Sequence, residues 1–83
     1  MKISIVTPTE KSFEGEATSV VAPGVEGQFG ILENHTPFLS TLKDGNVKVK
    51  LADNTEKTFH ITGGLADVNK NTVRILAESV EEK

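Results

Sequence analysis

Apolar and polar residues alternate with a period of two along most of this chain, and this pattern constrains its fold more than any other feature. Val47, Val49 and Leu51 alternate with polar residues, and Phe59 and Ile61 do the same farther along. Successive side chains of a β-strand point to opposite faces, so the alternation predicts strands with one buried and one wet face. The 3.6-residue period of a helix does not persist anywhere in the sequence.

Turn signals separate these runs at short intervals, as at Asp44-Gly45-Asn46 and Thr62-Gly63-Gly64. Many short strands with frequent turns are typical of a sandwich or a barrel. We therefore predict an all-β fold, a two-layer β-sandwich or flattened barrel of about ten short strands. We place nine strands near residues 2–6, 11–15, 17–22, 27–31, 39–43, 46–52, 56–62, 64–69 and 72–77, with one small further pairing as the tenth.

The length of 83 residues allows one domain near the lower limit of what folds on a hydrophobic core. The sequence contains no cysteine, so neither a disulfide framework nor a thiolate metal site can staple it. We assign residues 1–77 to the β-sandwich domain. Residues 78–83 are mostly polar, and we expect them to form a C-terminal tail that frays.

The charge and hydropathy of the chain exclude several function classes. The net charge is −3 and the nine basic residues are scattered, which argues against a nucleic-acid footprint. No apolar run approaches the roughly 18 residues that span a bilayer. The β-like pattern begins at Lys2, without a signal segment before it. We therefore expect the product to stay in the compartment where it is made.

The segment from Ala22 to Leu42 differs from the rest because glycine and proline punctuate an apolar stretch. Gly24, Gly27 and Gly30 allow tight turns that other residues resist. Such a segment either caps the core or presents a contact surface.

Chemistry-bearing motifs give little support for an enzyme. The glycines at 24, 27 and 30 have the spacing G-x-x-G-x-x-G, without the lysine and the helix start of a phosphate loop. His35 and His60 are too few for a typical zinc site without cysteines. No G-x-S-x-G nucleophile motif is present. We therefore predict no catalytic, cofactor-binding or metal-binding residues.

A resemblance carries the interpretation further. From Val21 to Leu42 the chain reads V-A-P-G-V-E-G-Q-F-G-I-L-E-N-H-T-P-F-L-S-T-L. This resembles the signature of the F-type ATP synthase epsilon subunits, roughly P-G-x-E-G-x-x-G-I-L-P-x-H-x-P-L-L-x-x-L-K-x-G. Two flanking pieces, F-E-G-E-A over 13–17 and G-G-L-A-D-V over 63–68, resemble the family at the right order and spacing. The chain departs from the pattern at Glu33, where the family usually has proline, and at Gln28, where an acidic residue is common.

The resemblance implies a two-sheet β-sandwich at the foot of the central stalk, which acts as a non-catalytic subunit. Its implied partners are the gamma subunit and the ring of membrane c-subunits, without a cofactor, nucleic acid or small-molecule substrate. It would turn with them and couple ion flow to ATP synthesis on other chains. The implied location is peripheral, at the cytoplasmic face of the bacterial plasma membrane or, alternatively, at the stromal side of the thylakoid.

Individual contact residues are also implied by the resemblance. Glu26, Gln28 and His35 match positions that the family turns toward the c-ring. Thr7, His35 and Ser40 match positions near the gamma-facing side, and Phe38 and Leu39 nearby would supply apolar area to that contact. Other interpretations stay open: turn solvation for Glu26 and Gln28, a hydrogen bond within the loop for His35, and the core for Phe38.

Longer family members continue into a C-terminal helical hairpin that restrains rotation or binds ATP. Because the sequence here reaches only Lys83, we expect coupling without an ATP-sensing brake. The alternative function is a free small β-barrel that binds a ligand or nucleic acid. That function calls for stacking aromatics and a basic groove, and the chain has neither Trp nor Tyr. A small hydrolase or isomerase is a third alternative, for which no residue constellation is present.

Overall fold

A computed structural model of the chain describes residues 1–34 and 36–83. Nine strands account for the regular structure of these residues, and none of them is helical. The strands are β1 Lys2–Val6, β2 Lys11–Gly24, β3 Gly27–Leu32, β4 Phe38–Leu42, β5 Gly45–Leu51, β6 Glu56–Thr62, β7 Gly64–Val68, β8 Thr72–Leu76 and β9 Ser79–Glu82.

The 14-residue strand β2 belongs to both layers of the sandwich. Its first half pairs with β1, and its last residue, Gly24, pairs with Leu42 of β4. These two pairings close the strand order β1-β8-β7-β4-β2 into a ring. Its second half lies between β3 and β5 and continues through β6 to β9. A register shift between Ala17 and Ser19 marks the passage from one layer to the other. Such a bulge bends a strand and increases its twist.

The core lies between the layers and is built by the alternation that the sequence shows. Within β5, Val47 and Val49 are fully buried. On the neighbouring strand β6, Phe59 lies opposite Val47, and both Phe59 and Ile61 are buried. The buried set comprises Ile3, Ile5, Ala17, Val20, Ala22, Ile31, Leu42, Val47, Val49, Phe59, Ile61, Ala66, Val68, Val73, Ile75 and Ala77. These aliphatic and β-branched side chains suit a thin two-layer core. The predicted fold class, an all-β sandwich, is confirmed.

The structure differs from the strand assignment in two places, besides differences of one residue at the ends of several strands. The runs predicted at 11–15 and 17–22 form one continuous strand, β2, and an additional strand, β9, brings the described residues to nine strands. Within the segment 78–83, Ser79–Glu82 forms β9 and pairs with β6, because Val80 packs against the core opposite Ile61.

Candidate interaction surface

A tight hairpin joins β2 to β3 and presents two of the residues predicted to make contacts. Val25 and Glu26 form the two-residue turn between Gly24 and Gly27. Gly27 has a φ of 130°, a conformation that side chains resist. A Cβ on Gly24 would lie 2.7 Å from the carbonyl oxygen of Gly27. The two glycines therefore permit this turn. It leaves Glu26 exposed, and Gln28, directly after Gly27, is exposed as well.

Backbone hydrogen bonds hold the hairpin against the end of β4. The N–H of Val25 donates to the carbonyl oxygen of Thr41 at 3.1 Å, and the N–H of Lys43 donates to that of Pro23 at 2.9 Å. Between the hairpin and β4 lies an open groove lined by residues 24–29 on one side and 39–41 on the other. The fold thus brings Glu26, Gln28 and Ser40 to one groove, although the resemblance had assigned them to two partners.

Aromatic packing forms the wall of this groove. The rings of Phe29 and Phe38 lie 5.6 Å apart between centroids, at an interplanar angle of 68°. An edge-to-face pair of this kind is a favoured aromatic geometry. Both side chains are half-buried and pack against the core, so Phe38 is partly core and partly groove wall. Ser40 is half-buried, and its hydroxyl donates a long hydrogen bond to the carbonyl oxygen of Thr41 at 3.5 Å.

The other two predicted contact residues are not part of the described groove. Thr7 follows β1 and stabilises the turn to β2, since its hydroxyl accepts from the N–H of Glu10 at 3.2 Å. Around the ring, β8 and β7 lie between β1 and β4, and Thr7 is not among the residues that line the groove beside Ser40. The structure therefore does not bring Thr7 together with Ser40. His35 lies outside the described residues.

Sequence reasoning missed an apolar stripe on the outer face of β1, β8, β7 and β4. Leu65 pairs with Leu76, Leu76 pairs with Val6, and Leu39 lies one row farther along β4. Leu39 is 65% exposed, whereas Leu65 and Leu76 are each 37% exposed. All four residues stand at positions of their strands that the alternation assigns to the wet face. Leucine or valine at such positions was the signal that could have revealed the stripe.

Charged side chains are concentrated where β1 pairs with the first half of β2. The carboxylate of Glu14 lies 3.3 Å from the ammonium groups of both Lys2 and Lys11. Hydrogen bonds from Lys2 and then from Lys11 lower the pKa of Glu14 below its usual value of 4.5. Arg74 lies beside this group, in a shallow depression that also includes Thr72. The arrangement is an exposed ion-pair network that orders one face of the ring.

Within residues 1–34 and 36–83, no three His, Cys, Asp or Glu side chains are grouped closely enough to hold a metal ion. None of the described segments is a helix of the length and apolarity needed to cross a membrane.

Comparison with known proteins identifies relatives along the full sequence. Residues 1–83 match the family described as ATP synthase, Delta/Epsilon chain, beta-sandwich domain. The ATP synthase epsilon chain of Chlorobium limicola is 46% identical over 79 residues, which cover 95% of this chain and 90% of the relative. That of Hyphomonas neptunium is 45% identical over 78 residues, which cover 94% of this chain but 58% of the relative. This chain therefore spans almost all of some relatives and little more than half of others.

A solved structure shares the fold at lower identity. A chain in the cryo-EM structure of the Euglena gracilis mitochondrial ATP synthase superposes with a TM-score of 0.90 over 96% of this chain and 51% of the other. The sequence identity of this pair is 22%, so the similarity concerns the fold alone.

Proposed function

The chain belongs to the family of ATP synthase delta/epsilon β-sandwich chains, and on that premise we propose that it works in the central stalk of an F-type ATP synthase. It rotates with the gamma subunit and couples ion flow through the c-ring to ATP synthesis on the catalytic head. Its role is non-catalytic, as for the epsilon chains that it resembles. Its place is peripheral, at the cytoplasmic face of a bacterial plasma membrane.

The observation that carries this proposal is the fixed hairpin of residues 24–28. A part that transmits torque needs a contact element that does not deform, and an exposed turn is usually mobile. Here two backbone hydrogen bonds, from Val25 to Thr41 and from Lys43 to Pro23, tie the turn to the end of β4. Leu42 is buried beside them. Glu26 and Gln28 are therefore held out from the body of the domain on a braced element.

We assign the c-ring contact to Glu26, Gln28 and His35. The exposed tip of the hairpin carries one carboxylate, that of Glu26, and the amide of Gln28 lies two residues farther on. These groups suit hydrogen bonding to the polar loops of a membrane ring better than burial in lipid.

We assign the gamma contact to Thr7, His35, Phe38 and Ser40. Phe38 and Ser40 lie on β4, and exposed Leu39 adds apolar area on the opposite, outer face of that strand. Stable interfaces bury roughly 800 Å² on each partner, so the contact must extend beyond these residues. The neighbouring apolar stripe offers such an extension from β4 toward β1, on which Thr7 follows.

Site-specific cross-linking tests the c-ring contact. The chain has no cysteine, so Gln28→Cys introduces a single thiol at the hairpin. In the assembled enzyme, we expect Gln28→Cys to form a disulfide with a cysteine placed in the polar loop of a c-subunit. Ala52→Cys is the matched control, because residue 52 is exposed in the turn between β5 and β6 and its N–H bonds to Glu16 in the middle of β2, away from the hairpin.

Equal yields from the two positions would indicate random collision and refute the assignment. Incorporation of the chain into the enzyme without any cross-link at residue 28 would also refute it. If the chain is folded and still fails to enter the enzyme, the proposed function itself is wrong.

A further inference from the structure

Strand β3 pairs with a neighbouring strand on one edge only, as far as the described residues show. It pairs with β2 over all six of its residues, from Gly27 to Leu32. Among the described residues, no strand pairs with it on the other side. β3 is therefore the last strand of its sheet, in the order β3-β2-β5-β6-β9.

The direction of the backbone groups along β3 follows from its partner strand. The carbonyl oxygen of Pro23 accepts from Lys43, on the side of β2 away from β3, and proline has no N–H to donate. The facing pair Pro23–Gln28 is therefore not hydrogen-bonded. Since backbone groups alternate in direction along a strand, Gln28, Gly30 and Leu32 direct their N–H and C=O groups away from β2, toward the open edge.

The two outermost strands of this sheet differ in how they are protected. β9 is four residues long, contains Glu81 and Glu82, and is followed by Lys83. Short length and charge are the usual means of preventing association at a sheet edge. β3 is longer and has no charged residue between Gly27 and Leu32. One edge of the sheet is therefore protected and the opposite edge is not, which indicates that the edge of β3 can pair with a further strand.

The side chains along β3 leave room for an additional strand. A Cβ on Gly30 would meet no atom within 4 Å, and Leu32 is 64% exposed. Phe29 and Ile31 point inward, and Phe29 bridges to Phe38 across the opening between the layers. A strand beside β3 would cover that opening and could place a bulky side chain over Gly30.

We propose that β3 binds an extended segment of the gamma subunit, which adds to the sheet as a sixth strand. This inference rests on the proposed function, because it specifies how that partner is held. Backbone hydrogen bonds to Gln28, Gly30 and Leu32 provide the affinity, as in other cases of strand addition. No residue of β3 carries a charge. The segment that binds is accordingly uncharged over about five residues.

Amide hydrogen exchange on the unaltered chain tests the pairing directly. In the isolated chain, we expect the amides of Gln28, Gly30 and Leu32 to exchange at least about 100-fold faster than those of Phe29 and Ile31, which bond to β2. In the complex with purified gamma subunit, we expect the three outward amides to slow at least about tenfold.

Three outcomes would overturn the inference, and they are distinguishable. If the complex forms, protects other amides and leaves these three fast, the proposed function stands and strand addition is wrong. If the folded chain does not bind gamma, both are wrong. If the three amides are already slow in the isolated chain and become faster on dilution, the occupant is a second copy of the chain and not gamma.

A pair of variants separates backbone pairing from side-chain contact. Gly30→Pro removes one outward N–H and leaves the hydrogen bonds to β2 in place, whereas Gly30→Ala keeps that N–H. We expect Gly30→Pro to weaken gamma binding by about tenfold and Gly30→Ala to change it by less than about threefold. Equal effects would overturn the inference. If Gly30→Pro does not fold, the exchange experiment decides alone.

Discussion

Two adjacent glycines, Gly63 between β6 and β7 and Gly64 at the start of β7, allow a stability prediction with an internal control. Gly63 and Gly64 both have positive φ, 59° and 134°. A Cβ on Gly63 would meet nothing within 4 Å, whereas a Cβ on Gly64 would overlap the carbonyl oxygen of Leu76 and lie 3.0 Å from the Cα of Ala77. A side chain at either position would therefore strain the backbone, but only at Gly64 would its Cβ also collide with neighbouring atoms.

From these contacts we expect Gly63→Ala to lower the free energy of unfolding by about 1 to 2 kcal/mol, through left-handed strain alone. Gly64→Ala adds to comparable strain an overlap that must push β7 away from β8, which brings the loss to about 4 kcal/mol. For a domain of this size, the difference of about 2 to 3 kcal/mol corresponds to a fall in Tm of roughly 8 to 24 °C.

Urea denaturation of the wild-type chain and both variants, followed by circular dichroism, measures these values. The slope of the transition must stay constant for the comparison to report on the native state. If Gly64→Ala is within about 0.5 kcal/mol of Gly63→Ala, the argument from close approach of β7 and β8 is refuted.

Three further predictions concern the core, the ion pairs and β9. Phe59→Ala should lower the free energy of unfolding by about 3 to 5 kcal/mol, since its side chain is 1% exposed and its ring lies 5.0 Å from that of Phe13; a loss below about 1 kcal/mol in urea would contradict this. Because its folded-state pKa is lowered, Glu14 stabilises the fold above its usual pKa of 4.5, and this stabilisation is lost as the pH falls through the lowered value. Lys2→Gln should therefore raise the pKa of Glu14 in an NMR titration, and an unchanged pKa would refute the pairing. Val80→Asp should detach β9 and speed amide exchange in β6, with Glu81→Gln as the control; unchanged exchange would show that β9 is held by something other than Val80.

Strands with strong alternation were predictable from the sequence because burial on one face dictates their pattern. The predicted bounds of β6, residues 56–62, agree with the structure, and those of β5 differ by one residue at each end. The continuity of β2 was not predictable, since the bulge near Ser19 shifts the alternation by one residue and mimics a strand boundary. β9 was missed because one apolar residue, Val80, shows no period; its order comes from tertiary pairing with β6.

The candidate surface was only partly predictable. The glycine spacing at 24 and 27 indicated a tight turn, and the structure has one there. The meeting of that turn with Ser40 depends on the single pairing of Gly24 with Leu42, which is a property of strand order and not of local sequence. For the same reason, alternation identifies β3 as a strand but cannot show that one of its edges is unpaired.

The closed ring has a consequence for how the chain folds during its synthesis. β1 pairs in parallel with β8, so residues 2–6 cannot complete their pairing until residues 72–76 have been synthesised. At about 5 to 20 residues per second, a ribosome needs roughly 4 to 14 s to add those intervening residues. During that interval Ile3 and Ile5, fully buried in the finished domain, have β2 as their one available strand partner in the ring. The nascent chain therefore exposes apolar surface for seconds, and its ring closes as one late, non-local event.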